Sequence, residues 1–391
     1  MAAQLSLGAL SWAVGILCGC LQSTAVRASG MDIVVLGDWG GQTAAPYWVD
    51  TQVENTAGME AYATQTSPRA GLLIGDNFYS YGIRCDDEKD PRGWVRATKS
   101  RRPCTEDAMN YRFQETFEKV MDAPALDFPM WAIAGNHDHR GNVTAQVEYG
   151  TLGTQVPGSS GRWRFPYSDG NIEHTWYSFT EEFEAEGDGS AVSAQFFMID
   201  TVRWCGLCNS DSDSFNDRRY FTANVTRSQL VALVGGEDRY ERASRACGGD
   251  TCCIWADWSQ YRDTECREAR AHSWGWTLEL RCPIDNRLTS FAAQQRSWLE
   301  AALAASTADW KVVVGHYPVF SVSGHGPTPR LLKELAPLLE EHKVALYFNG
   351  HDHSAQHISV DRYPSTEFFN IGAGSPVSNS HGQEEAVLRG I

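Results

Sequence analysis

Five short segments of the chain place a glycine directly before side chains that can bind metal ions, and each segment follows an apolar run. Carboxylate, phenolate, amide and imidazole groups are common ligands of hard and borderline metal ions. One such segment is often only a turn or a helix cap, but five in one chain are difficult to explain as turns alone. We therefore predict a metal centre. The segments are Gly37-Asp38-Trp39-Gly40-Gly41, Gly75-Asp76-Asn77-Phe78-Tyr79, Gly135-Asn136-His137-Asp138, Gly315-His316-Tyr317-Pro318 and Gly350-His351-Asp352-His353.

These segments carry enough ligands for two adjacent metal ions, which share one bridging carboxylate and need about three further protein ligands each. Asp76 is a natural bridge between the ions. Together with Asp76, the side chains of Asp38, Tyr79 and His353 would form an oxygen-rich ligand set. Two carboxylates and a phenolate suit a hard trivalent ion such as Fe(III).

The other ligands form a second set that is richer in nitrogen. Asn136, His316 and His351 would join Asp76 around the second ion. Two imidazoles and an amide suit a divalent ion such as Fe(II), Zn(II) or Mn(II). The two sets together predict a dinuclear centre that holds Fe(III) and a divalent metal.

The elements that position these segments alternate between short apolar strands and helices, which indicates a layered α/β fold. In α/β sheets, ligands bind beyond the carboxyl ends of the strands, and the five segments lie at such ends. Strands are predicted at 32–36, 71–75, 130–134, 194–200, 311–315, 344–349 and 367–371, and helices at 47–66, 110–121, 291–305 and 330–342.

A long polar stretch at residues 204–290 holds seven of the 11 cysteines. A loop of this length without structure is uncommon in a compact domain, so we predict a cysteine-rich insertion pinned by disulfides. Zinc is the less favoured alternative, because Cys205-Gly206-Leu207-Cys208 and Cys252-Cys253 do not form a regular pair of Cys-x-x-Cys knuckles.

The N-terminus predicts a signal peptide at residues 1–28, because an apolar run from Leu5 to Leu21 is followed by small residues around Arg27. A membrane anchor is less favoured, since the run is short for a span. Two glycosylation sequons begin at Asn142 and Asn224. Together with the cysteines, they favour a secreted protein or a secretory, lysosome-like compartment. Loss of the leader leaves 11 − 2 = 9 cysteines, an odd number, so at least one would be free or bonded to another chain.

The charge balance restricts the partners of the protein. The 391 residues include 33 basic and 49 acidic side chains, a net charge of −16. This field repels polyanions, which argues against nucleic acids and against stable association with anionic membranes. It leaves room for a small anionic substrate held by a local positive centre such as a metal. The length allows one large α/β domain or two smaller ones.

The five segments resemble the motifs of the calcineurin-like metallophosphoesterases, and among them those of the purple acid phosphatases of the tartrate-resistant type. That superfamily usually carries Asp-x-His in its first motif, whereas Asp38-Trp39-Gly40 has no histidine. Tyr79, in Gly-Asp-x-x-Tyr, supplies the missing ligand and marks the purple branch. The resemblance extends to Asp200-Thr201 and to the run from His325 to His353, and it covers residues 31–212 and 291–375.

The resemblance implies a four-layer α/β/β/α sandwich formed by residues 31–391, with the insertion at 204–290 inside it. It implies the same two ligand sets, and His137 and His325 resemble the substrate-contacting, catalytic histidines of the family. Only 391 − 375 = 16 residues follow Ser375, where the family continues with further strands, so we expect a truncated C-terminus.

The function implied by the resemblance is that of an acid phosphatase, which hydrolyses phosphate monoesters with a metal-bound hydroxide as nucleophile. Either His137 or His325 would protonate the leaving group. Small phosphate monoesters or phosphoproteins are the expected partners. The alternatives are a phosphodiesterase or nucleotide phosphatase of the same superfamily, or a non-catalytic secreted metal-binding glycoprotein.

Overall fold

The computed structural model describes residues 3–7, 30–42, 45–80, 82–83, 111–184, 189–205 and 286–374, together with Glu237 and Glu241. The chain divides into two compact units, residues 1–202 with 295–391 and residues 203–294. All five glycine-preceded segments belong to the first unit. Most of the predicted signal peptide, most of the predicted cysteine-rich insertion and the chain end beyond residue 374 lie outside the described residues.

The first sheet has five strands in the order β1-β2-β3-β4-β5. Strand β1 pairs antiparallel with β2, and β2 to β5 are parallel. Nearly every residue of β2, β3 and β4 is buried. Continuous apolar runs are typical of parallel strands that are covered on both faces. The strands are β1 (Ala3–Leu7), β2 (Met31–Leu36), β3 (Ala70–Ile74), β4 (Met130–Ile133) and β5 (Trp163–Arg164).

The second sheet has six strands in the order β10-β11-β9-β8-β7-β6. Its four inner strands are parallel, while β6 and β10 pair antiparallel at the two edges. The strands are β6 (Tyr177–Glu184), β7 (Ala191–Met198), β8 (Trp310–Val314), β9 (Leu346–Asn349), β10 (Ala355–Ser359) and β11 (Glu367–Ile371).

The two sheets share one apolar core. Ile33 and Leu72 of the first sheet belong to the same buried cluster as Val312 and Val314 of the second. The hydroxyl of Tyr177 on β6 also donates a hydrogen bond of 2.8 Å to the carbonyl of Ala132 on β4. The sheets therefore pack face to face, with the core between them.

Helices cover the outer faces of this sandwich. Met59 of α1 and Ala145 of α2 join the core on the side of the first sheet. On β8, the ammonium group of Lys311 donates to the carbonyls of Leu303 and His342, at the ends of α4 and α5. The layers thus run helix, sheet, sheet, helix, and the predicted mixed α/β fold is confirmed. The helices are α1 (Asp50–Thr66), α2 (Val143–Leu152), α3 (Thr201–Cys205), α4 (Asn286–Ala305) and α5 (Pro329–Glu341).

One predicted helix, at residues 110–121, differs in the structure, where the described part contains a π-helical turn over Gln114–Glu118. The carbonyl of Thr116 accepts a hydrogen bond of 2.8 Å from the Gln52 side chain, and the Thr116 hydroxyl donates to the carbonyl of Tyr47. These contacts with other parts of the chain compete with the regular helical ladder. Among the described residues, no helix is long and apolar enough to cross a membrane.

Six labelled elements of the structure were absent from the sequence prediction: β1, α2, β5, β6, α3 and β10. Strands β6 and β10 are edge strands in which exposed and half-buried residues are frequent. An edge strand has one neighbour and an open flank, so its sequence needs no continuous apolar run. Asn142, the first residue of a sequon, caps α2 by accepting a hydrogen bond from the Ala145 amide.

Candidate metal centre

The carboxyl ends of strands from both sheets meet at one place in the fold. The Gly37 amide after β2 donates to the carbonyl of Ile371 at the end of β11, over 3.0 Å. The His316 ring after β8 places Nδ1 at 3.0 Å from the carbonyl of Ile74 at the end of β3. These contacts join the two sheets at the edge where the five segments lie.

Glycine is required where the segments approach most closely. Gly75 has a φ of +96°, and a Cβ atom there would lie 2.5 Å from Nδ1 of His316. A Cβ atom on Gly135 would lie 2.3 Å from a carboxylate oxygen of Asp76. Since real Cβ atoms do not approach other atoms so closely, these glycines allow the ligand side chains to pack against the backbone.

Three of the predicted ligands have a left-handed backbone, with φ values of 57° at Asp38, 53° at Asp76 and 73° at His351. This conformation is uncommon outside glycine and costs free energy, so the surrounding structure must maintain it. The His351 amide donates a hydrogen bond of 2.8 Å to the carboxylate of Asp38, which joins the first segment to the last. Such conformations concentrate at functional sites.

Asp38, Asp76 and His316 form the centre of the site. All three are buried, and one donor atom from each lies within 4.8 Å of the others. The Nε2 atom of His316 is 3.5 Å from an oxygen of Asp76. This spacing allows the three side chains to bind one ion, and one carboxylate of the group can reach a second.

The predicted oxygen-rich ligand set comes together on one side of this centre. The hydroxyl of Tyr79 lies 3.1 Å from an oxygen of Asp38 and 3.0 Å from Nε2 of His353. The same nitrogen of His353 lies 3.5 Å from Asp38. Tyr79 thus occupies the position between a carboxylate and an imidazole that its prediction as a ligand requires.

The predicted nitrogen-rich set lies on the other side. The side-chain oxygen of Asn136 is 2.9 Å from Nε2 of His316 and 3.1 Å from Nδ1 of His351. His316 connects this group to Asp76. The structure therefore brings together all seven predicted metal ligands, although the first, Asp38, and the last, His353, are more than 300 positions apart in the sequence.

The charges at the centre fit a bound cation. Burial alone would raise the pKa of Asp76, but the neighbouring charges of His316 and His137 hold it well below its usual range. Burial lowers the pKa of His316, but the Asp76 carboxylate outweighs this effect and raises the pKa to about 10. Asp76 therefore stays ionised, and the proton that compensates its charge lies on His316, where a metal ion could replace it.

His351 provides a neutral imidazole. Its pKa lies well below the usual value, first because it is buried and second because His325 and His316 are close. A neutral imidazole has a free electron pair for a metal. Among the described residues, the ion pairs of Asp38 and Asp76 involve only histidines. Two carboxylates buried side by side are unfavourable when both are charged, and a cation between them would relieve that cost.

The two predicted catalytic histidines flank the centre from different segments. The backbone amide of His137 donates to Asp76 at 2.8 Å, and its Nδ1 atom lies 2.8 Å from the carbonyl of Ser80. Its ring packs edge-on against Tyr79. The ring of His325 lies 4.3 Å from the ring of His351 and is exposed to solvent.

Two residues that the sequence analysis named without giving them a role, Asp138 and Thr201, hold the segments together. The buried carboxylate of Asp138 accepts hydrogen bonds from the amides of Asn77 and Gly135. Burial and the charge of Asp76 raise the pKa of Asp138 to about 7. The hydroxyl oxygen of Thr201 accepts hydrogen bonds from the amides of His316 and Tyr317, at 3.0 and 2.8 Å. The sequence offered one signal for each residue: Asp138 lies in the same segment as Asn136, and Thr201 directly follows the predicted strand at 194–200.

Known proteins share both the sequence pattern and the fold. The chain is 29% identical over 343 residues to tartrate-resistant acid phosphatase type 5 of Sus scrofa, across 88% of this chain and 69% of that protein. It is 26% identical over 304 residues to purple acid phosphatase 17 of Arabidopsis thaliana, across 78% and 58% of the two chains. Its fold is similar to that of GAP50, the anchor in the inner membrane complex of Plasmodium, with a TM-score of 0.54, 16% identity and coverage of 92% and 77%.

These relatives confirm the predicted resemblance to the purple acid phosphatases, and they support the prediction of a phosphatase. The family model for calcineurin-like phosphoesterases matches residues 31–355 and includes all seven predicted ligands. The chain therefore belongs to the calcineurin-like phosphoesterase family.

Proposed function

We propose that the protein is an acid phosphatase that hydrolyses phosphate monoesters at a dinuclear metal centre. The observation that carries the proposal is the convergence of two ligand sets around Asp76, one rich in oxygen and one rich in nitrogen. The oxygen-rich set would hold Fe(III), and the other would hold Fe(II), Zn(II) or Mn(II). The names of the relatives support the choice of acid phosphatase.

The residues of the chain have separable roles in this reaction. A bound metal pair supplies Lewis acidity, which lowers the pKa of water and offsets the negative charge of the phosphate. Asp76 fixes the distance between the two ligand sets, and the hydrogen bond from the His351 amide to the Asp38 carboxylate holds the first and last segments together. His137 and His325 lie at the border of the buried group, where a proton can be delivered to the leaving oxygen.

The proposed substrates are small phosphate monoesters or phosphoproteins. The net charge of −16 supports this choice over nucleic acids, because a long polyanion meets the repulsion of the whole surface while a small ester meets mainly the local site. We further propose secretion or a secretory, lysosome-like compartment, on the basis of the apolar N-terminal run, the sequons and the cysteines.

The experiment is a comparison of substrates and metal content. The full chain is loaded with iron and zinc, and the release of p-nitrophenol, the product common to both substrates, is measured at acidic pH with p-nitrophenyl phosphate and with bis(p-nitrophenyl) phosphate. We expect the monoester to be hydrolysed much faster. Asp76→Ala should lose both metals together with activity, because Asp76 belongs to both ligand sets.

A carboxylate remote from the site provides the control. Asp309→Ala removes an exposed side chain at the start of β8, at the opposite end of that strand from His316, and should keep both metals and full activity. Faster hydrolysis of the diester would favour a phosphodiesterase. Two bound metals without turnover of either ester would favour a non-catalytic metal-binding glycoprotein.

A further inference from the structure

The loop that carries His325 is attached to the segment that carries His351 and His353, and Asp352 makes the attachment. One carboxylate oxygen of Asp352 accepts a hydrogen bond of 3.0 Å from the His325 amide. The other oxygen accepts a hydrogen bond from the hydroxyl of Ser321. Asp352 is only 1% exposed, so water competes little for these bonds.

A side chain of strand β10, which follows this segment, supports the loop between those two points. The side-chain oxygen of Gln356 accepts a hydrogen bond of 2.9 Å from the Val322 amide, and its NH₂ group donates to the hydroxyl oxygen of Ser321 at 3.1 Å. The Ser321 hydroxyl oxygen also accepts the amide of Ser323 at 3.1 Å. The loop from 321 to 325 is thus fixed through its backbone to the residues that follow β9.

The imidazole of His325 is exposed, in contrast to its anchored backbone. Its distance from the centre therefore depends on where the backbone holds it, and the ring lies 4.3 Å from the ring of His351. A shift of about 1 Å in a catalytic group can lower a rate about 100-fold. Fixing the backbone of His325 to the segment of the predicted ligands His351 and His353 limits how far the ring can move from the centre.

We propose that Asp352 is the positioning residue for His325 in its role as a proton donor to the leaving group. This inference rests on the proposed function. The oxygen of a water molecule bonds to phosphorus and gives up a proton to solvent, while the P–O bond to the leaving group breaks. The electron pair of that bond moves to the leaving oxygen, which takes a proton from a ring nitrogen of His325. The neutral imidazole then regains a proton from solvent. Asp352 touches neither substrate nor metal in this scheme.

Substrates with different leaving groups can distinguish a role of Asp352 in positioning His325 from a purely structural role. An alkoxide is a poor leaving group and needs a proton, whereas p-nitrophenolate leaves without one. General acid catalysis contributes roughly 100- to 10,000-fold where it is needed. A misplaced donor should therefore slow the hydrolysis of an alkyl phosphate far more than that of p-nitrophenyl phosphate.

The test measures kcat for glycerol 2-phosphate and p-nitrophenyl phosphate in metal-loaded variants of the full chain. Asp352→Ala should lower kcat for the alkyl ester at least about tenfold, a part of the full acid-catalysis effect, and change the aryl ester less than about threefold. Asp352→Asn should recover most of the loss, because its side-chain oxygen can still accept the hydrogen bond from the His325 amide.

A matched control comes from Asp309, which also accepts a serine amide and the hydroxyl of the same serine, Ser193, at 2.9 and 3.0 Å. Asp309→Ala should leave both rates unchanged. In a His325→Ala background, Asp352→Ala should add little further loss, because the group it positions is already absent. His137→Ala should slow both esters to a similar extent.

Equal losses of Asp352→Ala with both esters, or additive losses in the double variant, would overturn the proposal. Loss of metal from Asp352→Ala would also overturn it, since the residue would then support the ligands rather than His325. A failure of the proposed function looks different, because the metal-loaded wild-type chain would then hydrolyse neither monoester.

Discussion

At the residue scale, Tyr79 gives the site its distinguishing chemistry. It lies within hydrogen-bond distance of both Asp38 and His353, which places a phenol between a carboxylate and an imidazole. A phenolate favours a hard ion, so this residue supports Fe(III) on the oxygen-rich side. The aspartates and the histidines of the site would suit several other metals.

Tyr79→Phe should remove the visible absorption expected from a tyrosinate bound to Fe(III). The phenyl ring can keep its edge contact with His137, so the loss should be confined to one ligand atom. The measurement is a visible spectrum together with the iron content per chain. Tyr149→Phe is the control, because that buried hydroxyl bonds to Glu118 away from the centre. An absorption band that persists in the Tyr79 variant would exclude Tyr79 as the tyrosinate ligand of Fe(III).

At the element scale, the centre depends on loops that begin where parallel strands end. The segment after β8 shows how such a loop is held. The amides of His316 and Tyr317 lie beyond the strand, and both donate hydrogen bonds to the hydroxyl oxygen of Thr201. Thr201 itself follows β7, the neighbouring strand. One hydroxyl therefore sets the direction in which His316 enters the site.

Thr201→Val should weaken both folding and metal binding. Valine has the shape of threonine but no acceptor, so two buried amides would lose their partner at about 1–3 kcal/mol each. Thr201→Ser keeps the hydroxyl and should retain most of the stability. Denaturant unfolding of the metal-free chain measures the first effect, and metal titration measures the second. Wild-type stability in the valine variant would contradict the assigned role.

The contact between the two sheets has its own pH dependence. Burial raises the pKa of Tyr177 well above its ordinary value. The folded state thus holds this proton more tightly than the unfolded state, and the resulting stability is present below about pH 10 and lost as the pH rises further.

Tyr177→Phe should therefore make the stability less sensitive to alkaline pH. At neutral pH the variant should lose about 1 kcal/mol, the typical net value of one hydrogen bond, here the bond to Ala132. Above about pH 10, its stability should fall less steeply than that of the wild type. Urea unfolding across pH 7 to 11 provides the comparison, and equal slopes would show that Tyr177 keeps no proton advantage in the folded state.

At the scale of the whole molecule, a strongly acidic chain surrounds the site proposed for phosphate esters. The net charge is −16, and in the proposed function bound metal ions supply the local positive charge. Long-range repulsion should act most strongly on substrates with several charges, and it is screened by salt over about 10 Å at 0.1 M.

We expect kcat/KM for an acidic phosphopeptide at pH 7 to increase as salt rises from about 0.01 to 0.15 M, because screening weakens the repulsion. The value for p-nitrophenyl phosphate should change much less. Steady-state kinetics with both substrates over a salt series measure the difference. A decrease for the peptide would instead indicate a local basic surface that attracts it.

The sequence by itself determined the residue types, their order and their association with strand ends. Gly75-Asp76 and Gly315-His316 could be recognised because an apolar strand and the turn after it are local features. The predicted strands of both sheets were confirmed for the same reason. The predicted roles of the seven ligands, of His137 and of His325 stay predictions until metals and substrates are measured.

Only the tertiary structure decided which segments meet. The contact of Asp38 with His351 spans 313 positions and depends on two sheets packing face to face, which no local pattern specifies. The same holds for Asp352, whose hydrogen bonds to the loop of His325 became visible only in the fold. The edge strands β6 and β10 were missed because exposed and half-buried positions interrupt their apolar residues, so neither strand has a continuous apolar run. Local chemistry is encoded in adjacent residues, whereas convergence results from packing over the whole chain.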